Sequence, residues 1–199
     1  MTDSFFDIST NRRRQAGVGL IEVLIAVLVF AVGVLGMAAM QISAKRTSYE
    51  ATQRSMATSM ARDILERIRS NPDNLNAYVT ASAIGEGSLP TSGNCVSSAC
   101  DPNDLAVYDL YDWSLSLVGN SEKSGTANVG GLLDSRACIA NDSRTIWVAI
   151  AWKGVTEMTN PDPNEPPAAI ADCGNSSGLY GTNNVNRRLL VMSTYVGDF

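Results

Sequence analysis

Residues 17–40 read GVGLIEVLIAVLVFAVGVLGMAAM, and this stretch decides the fold. From Val18 to Met40 the only charged residue is Glu22. As an α-helix the run would be about 34 Å long, which is enough to cross the hydrocarbon core of a bilayer. Because lipid offers no hydrogen-bond partners to the backbone, a single span must be helical. The sequence therefore predicts a transmembrane helix over residues 18–41.

Basic residues at the start of the run set its orientation. Arg12, Arg13 and Arg14 stand just before it, and the positive-inside rule places them in the cytoplasm, with the rest of the chain across the membrane. Two simpler interpretations compete. A secretory signal peptide would have a shorter apolar region, and a plain single-span anchor would leave the position of Glu22 unexplained. A carboxylate in a span is costly, so we expect Glu22 to be functional and to have a partner.

The run Gly17-Val18-Gly19-Leu20-Ile21-Glu22 resembles the class III signal of type IV prepilins and pseudopilins. The resemblance implies that a prepilin peptidase and N-methyltransferase cuts after Gly17, removes the leader 1–17 and methylates the new N-terminus at Val18. Glu22 would then be the fifth residue of the mature chain, where the family has its glutamate. The family mostly has Phe or Met at the position of Val18, so this chain departs from the pattern there.

Later segments are similar to minor pilins of the PilV type. They are residues 33–41, 99–106, 108–110 with Trp113, 147–152 and 189–196. The resemblance implies a single-pass protein of the bacterial inner membrane with a periplasmic C-terminal head. It also implies a part in initiating and assembling a type IV pilus, at the tip complex, with roles in twitching and adhesion.

The same resemblance implies the partners. They are other minor pilins, the major pilin, the peptidase, the inner-membrane assembly platform and membrane lipid. A minor pseudopilin of a type II secretion system has the same anchor and is the nearest alternative. A non-polymerising single-span periplasmic binding protein is the alternative of another class.

Charge balance near the new N-terminus predicts a role for Glu22. After cleavage, a charged amine at Val18 and a carboxylate at Glu22 would both be unfavourable in lipid without partners. In a filament, the carboxylate of one subunit can pair with the terminal amine of its neighbour. A misplaced subunit would leave both charges unmatched, so the pair would set the axial register of the helices.

The helix is predicted to continue through residues 42–71. There is no Pro or Gly from Ile42 to Ser70, and Pro72 ends the pattern. Apolar side chains recur at helical spacing and indicate a core face. They are Met56, Ala57, Met60, Ala61, Ile64, Leu65 and Ile68. Two i,i+4 ion pairs are expected, Glu50 with Arg54 and Asp63 with Arg67.

Residues 72–199 are predicted to form an α+β head on this helix. A helix from Asn103 to about Val118 would have Asp101 as its cap and Pro102 in its first turn. Leu105, Tyr108, Trp113 and Leu117 are the expected members of one face of it. Segments 137–140, 145–152 and 189–196 are rich in β-branched or aromatic residues, whereas 81–103, 119–131 and 160–167 are expected to be loops.

The expected architecture is a type IV pilin-like fold. A small antiparallel sheet of three or four strands would pack on the amphipathic half of a long helical spine. Trp147 and Trp152 are five residues apart on one strand and should face opposite sides of the sheet, with one of them in the core.

Four cysteines lie in the predicted head: Cys95, Cys100, Cys138 and Cys173. An even number in an exported domain indicates disulfides, and three connectivities are possible. We favour Cys95 with Cys100, which closes a short loop, and Cys138 with Cys173, which ties the Pro-rich loop 160–167 to a strand. Zinc is the alternative, but the chain has no Cys-x-x-Cys pair and no histidine.

Composition argues against several classes of function. Cleavage after Gly17 would remove three of the 15 basic and two of the 20 acidic residues, which leaves a net charge of −6. An acidic body is a poor match for nucleic acid. Without histidine, no Ser-His-Asp or Cys-His arrangement is possible, and no lysine lies in a catalytic motif. Asp162, Asn164 and Glu165 do not have EF-hand spacing. We expect no enzyme activity, metal or cofactor.

Overall fold

The structure is a computed structural model that describes residues 19–93, 95, 99–120, 122–165 and 167–197. The leader, Gly17 and Val18 lie outside the described residues. The chain divides into two compact units with the boundary after Ala44. The first unit, as described, is the beginning of a long helix. The second unit is the head, residues 45–199.

Helix α1 runs over Leu20–Arg69, so the long helix predicted from the sequence is confirmed. Its sequence has no Pro, and the backbone leaves the helix just before Pro72, where a 3₁₀ segment, Pro72–Tyr78, begins. The described part of the first unit is exposed at every residue. In the described chain, α1 is the one helix whose length and composition suit a membrane span.

The head contains two antiparallel sheets. The strands in chain order are β1 (Ile84–Gly85), β2 (Lys123–Ser124), β3 (Ala127–Asn128), β4 (Arg136–Asp142), β5 (Thr145–Lys153) and β6 (Arg187–Tyr195). The main sheet has the order β1-β4-β5-β6, and β2 and β3 form a separate small hairpin. Ser143 and Arg144 both have positive φ in the two-residue turn between β4 and β5, as a tight hairpin turn requires. The predicted small antiparallel sheet is confirmed.

The two faces of the main sheet are covered by different elements. On one face, alternate side chains of β5 pack with the second half of α1 in the main core. These β5 residues are Ile146, Val148, Ile150 and Trp152, and the buried α1 residues include Ala57, Ala61, Ile64, Leu65 and Ile68. The opposite face packs against a short helix, α3 (Ala168–Ala171), and the residues after it. The predicted core face of α1 is therefore confirmed.

The two tryptophans of β5 face opposite sides of the sheet, as predicted. Trp152 is 3% exposed and belongs to the main core. Trp147 is half-buried and packs in the smaller cluster with Ala149 and Ile170. The sheet is thus apolar on both faces, although the second face is covered less completely.

Helix α2 (Pro102–Leu117) begins where its cap signal predicts. Asp101 accepts hydrogen bonds from the N–H groups of Asn103 and Asp104, at 2.9 and 2.8 Å. Of the four residues expected on one face, Trp113 and Leu117 are buried, whereas Leu105 and Tyr108 are half-buried at the flank of the buried face. The buried face consists of Ala106, Asp109, Leu110, Trp113, Ser114 and Leu117. Nε1 of Trp113 donates to the carbonyl oxygen of Met60 at 2.9 Å, which ties α2 to α1.

Two predicted loops contain short strands that the sequence did not reveal. β1 lies within 81–103, and the hairpin of β2 and β3 lies within 119–131. Strands of two residues have too few side chains to show alternation. Gly85 permits β1, because its φ is +146° and an added Cβ would lie 2.1 Å from the carbonyl oxygen of Ser135.

A polar network joins the end of α1 to α2. The guanidinium of Arg67 contacts Asp63 at 3.3 Å, Asp112 at 2.9 Å and Asp109 at 3.5 Å, so the predicted pair with Asp63 is confirmed. The hydroxyl of Tyr78 donates to Asp109 at 2.7 Å. Burial, together with this hydrogen bond, raises the pKa of Tyr78 well above its usual value. The network fixes the 3₁₀ segment against both helices.

Candidate functional site

Glu22 lies in the first turn of α1. Its N–H donates to the carbonyl oxygen of Gly19 at 2.9 Å, as expected for a helix start. A carboxylate in this turn interacts favourably with the positive end of the helix dipole. Within the part of the chain that the structure describes, no hydrogen bond or ion pair is made by this carboxylate. Glu22 therefore offers an acceptor without a partner.

The surface around Glu22 is apolar on all sides of the helix. Leu20 is 78% exposed, and Phe30, almost three turns further on, is 72% exposed. A helix that is apolar all round is stable only in lipid or among other apolar helices. Gly33 and Gly36 have open space where a Cβ would be, so another helix can approach closely there.

The four cysteines form two disulfides in the head. Cys95 is bonded to Cys100, with Cα atoms 5.4 Å apart, and Cys138 is bonded to Cys173, with Cα atoms 5.8 Å apart. Because every cysteine is oxidised, none is left as a thiolate for zinc. The second bridge joins β4 to the segment after α3.

Glu50 has a different partner from the one the sequence indicated. The predicted pair with Arg54 was wrong, because the carboxylate of Glu50 instead accepts from Arg188 Nη2 at 3.0 Å. It also accepts from the N–H groups of Val155 and Thr156, at 2.9 and 3.2 Å. Glu50 thus joins α1 to β6 and to the loop after β5.

Electrostatics favour the ionised form of Glu50. Burial by itself would raise the pKa of this carboxyl, but the hydrogen bonds from Thr156 and the charge and hydrogen bond of Arg188 outweigh it and lower the pKa. No local signal indicates this contact, because Arg188 is 138 residues away in the chain. The sequence showed only that Arg54 is four residues after Glu50, which is the spacing of a helical ion pair.

Replacing Glu50 with Ala is expected to lower the free energy of unfolding of the head by about 1–3 kcal/mol, because Arg188 and two backbone N–H groups lose their acceptor. Replacing the exposed Arg54 with Ala is the matched control and should change it by less than about 0.5 kcal/mol. Urea unfolding followed by tryptophan fluorescence measures both. Equal losses for the two variants would contradict the assignment of Arg188 as the partner.

Comparison with known families agrees with this geometry. Residues 12–38 match the model of the prokaryotic N-terminal methylation motif, and residues 39–111 match the model of type IV pilin Tt1218. The two ranges adjoin and together run through α1 and into α2. No curated protein and no solved structure matches the chain. With this signal, this matched segment and a long N-terminal helix whose second half packs on a small antiparallel sheet, the chain belongs to the type IV pilins.

Proposed function

We propose that this pilin is a minor pilin of the PilV type. Prepilin peptidase cuts it after Gly17 and methylates Val18, and the mature protein then enters a type IV pilus. There it takes part in initiation at the tip complex, next to other minor pilins and the major pilin. In this role it is a structural subunit and not an enzyme.

The observation that carries this proposal is the unpartnered carboxylate of Glu22 in an exposed apolar helix. Residues 12–38, which include Glu22, match the methylation motif, and Glu22 is four residues after the proposed new N-terminus at Val18. A terminal amine of a neighbouring subunit satisfies the carboxylate, and neighbouring apolar helices cover the surface of α1. A static anchor would need neither.

The proposed location is the bacterial inner membrane, with the head in the periplasm before assembly. The arginines of the leader precede the apolar run, which favours a cytoplasmic N-terminus. The disulfides of the head are typical of an oxidising compartment. Membrane lipid and the inner-membrane assembly platform are the partners at this stage.

Processing gives the first test. The mature protein is expected to begin at Val18, and a Gly17→Leu variant is expected to keep its leader, because a side chain at this position blocks close approach of the peptidase to the backbone. Gly19→Ala is the matched control, since its added Cβ would make only an ordinary contact with Ile21 at 3.8 Å. N-terminal sequencing of the membrane-extracted proteins measures the cut. A wild-type protein that retains Arg12–Arg14 would contradict the proposal.

The place of the mature protein is tested by mass spectrometry of sheared surface fibres. We expect this chain in pili at a level well below that of the major pilin, and loss of pili and twitching when its gene is deleted. Loss of protein secretion with pili intact would instead assign it to the pseudopilins of type II secretion. Absence from both kinds of fibre would leave a static anchor.

A further inference from the structure

Strand β6 is an edge of the main sheet with free backbone groups. Gly154 N donates to Asn186 O just before β6, and Val196 N donates to Arg144 O just after it. At both ends of β6, the backbone groups of even-numbered residues therefore face β5. The register of the two strands is one-to-one throughout β6. Backbone N–H and C=O groups alternate in direction along a strand, so those of the odd-numbered residues of β6 point away from the sheet. These positions are Leu189, Val191, Ser193 and Tyr195.

The opposite edge of the main sheet is covered along most of β4. At the opposite edge β1 pairs with β4, and Thr80 N and Oγ1 bond to the carbonyl and N–H of Ile139, at 3.0 and 2.9 Å. Just before β6, Met158 N donates to Val185 O at 2.8 Å. From Leu189 onward, the described chain provides no backbone partner for the outward groups of β6.

The sequence of β6 lacks the features that normally prevent edge pairing. From Leu189 to Tyr195 it has no proline and no charged residue. Edge strands of soluble proteins usually carry a lysine, a proline or a bulge at such places. Tyr195 at the end of the strand is 65% exposed. The strand is therefore suited to accept another one.

A pocket of about 440 Å³ lies beside this edge on the outer face of the sheet. Its apolar wall includes Trp147, Leu189 and Val191, and its rim includes Asp162 and Glu165 from the Pro-rich loop. Both carboxylates are exposed, and neither forms an ion pair with another described residue. Oδ1 of Asp162 accepts hydrogen bonds from Asn164 N and Nδ2, at 2.9 and 3.3 Å, but no cation neutralises its charge. An aromatic ring beside two carboxylates that lack an ion pair complements the charge of a lysine or arginine.

We propose that the open edge of β6 accepts an extended segment of another protein as a fifth strand, and that a Lys or Arg of this segment enters the pocket formed by Trp147, Asp162 and Glu165. The main-chain bonds would give affinity, and the pocket would give specificity. The added strand would lie about 4.8 Å from β6, and its side chains would point alternately to the two faces of the sheet. A basic side chain on the outer face therefore reaches the pocket. This inference goes beyond filament entry and does not depend on it.

The test uses the full chain in detergent micelles and two synthetic nine-residue peptides. Both alternate Val and Thr, and the central residue is Arg in one and Glu in the other. Hydrogen exchange is expected to slow at the amides of Leu189, Val191, Ser193 and Tyr195 when the Arg peptide binds. The amide of Leu190 already bonds to β5 and should change little. The Arg peptide is expected to bind at least tenfold more tightly than the Glu peptide.

Two variants separate the contributions. Val191→Pro removes one outward N–H and is tolerated on an edge strand, so it should weaken peptide binding at least tenfold, whereas Val191→Thr keeps the N–H and should not. The double variant Asp162→Asn with Glu165→Lys should reverse the preference in favour of the Glu peptide. These two residues lie in an exposed loop, so the double variant should fold. It therefore tests the proposal even if Val191→Pro does not fold. Absence of amide protection, or an unchanged preference in the double variant, would overturn the proposal.

Discussion

Replacing Glu22 with Ala is expected to leave the protein inserted and cut after Gly17, but to lower its recovery in sheared fibres by about a hundredfold or more. The proposed filament places a neighbour's terminal amine against this carboxylate in an apolar core. Removing one member of a buried ion pair costs about 3–5 kcal/mol, since the other charge is left without a partner. A loss of this size corresponds to at least a hundredfold in an equilibrium constant.

Two variants at this end of α1 sharpen the result. Glu22→Gln keeps the shape and loses the charge, so it should also be excluded from fibres. Val23→Ala changes an exposed apolar neighbour and should be incorporated normally. Immunoblots of the membrane and fibre fractions measure incorporation, and N-terminal sequencing checks that each variant begins at Val18. If Glu22→Ala were as abundant in fibres as the wild type, the pairing role would be wrong even though the processed pilin remained.

The parts of the fold that the sequence predicted depend on local signals. α1 has a long stretch without Pro or Gly, and α2 has an N-cap at Asp101 followed by Pro102, so both helices were visible from neighbouring residues. β5 was visible because six of its first eight residues are β-branched or aromatic. Such signals act within a few residues and do not depend on the rest of the chain.

The parts that the sequence did not predict depend on distant contacts. Arg188 replaces Arg54 as the partner of Glu50 because folding brings β6 onto α1. β1 exists because Ser135 and Arg136 provide an edge for Gly85, and nothing in two residues indicates this. In the sequence, Arg187 and Arg188 look like two ordinary exposed basic residues, yet Arg187 is only 1% exposed.

Arg187 is a buried cation that is bonded to neutral oxygens. Its guanidinium donates to the carbonyl oxygens of Cys173, Pro161 and Ala171 and to the side-chain oxygen of Asn160. Burial lowers the pKa of Arg187, although nearby Tyr180 and Asp172 oppose this. The side chain thus holds the start of the Pro-rich loop and the end of α3 on the first residue of β6.

Replacing Arg187 with Ala is expected to destabilise the head by about 3–5 kcal/mol. The change leaves several buried oxygens without donors and creates a cavity where the guanidinium was. Arg187→Lys should lower the free energy of unfolding by less, because an ammonium keeps the charge. Some loss remains, since the ammonium has fewer donors in a different geometry. The exposed Arg62 is the matched control, and Arg62→Ala should change the free energy of unfolding by less than about 0.5 kcal/mol. Urea unfolding with the disulfides intact measures all three variants.

The disulfide between Cys138 and Cys173 should not rescue the Arg187→Ala variant. This bridge holds Cys173 to β4, whereas Arg187 holds Asn160, Pro161 and Ala171, and also the carbonyl of Cys173, to β6. The two restraints therefore act on different strands. The loss is therefore expected in the oxidised protein, and the Pro-rich loop should exchange its amides faster with the bridge still formed. A loss below about 1 kcal/mol would mean that water replaces the guanidinium as the donor to these oxygens.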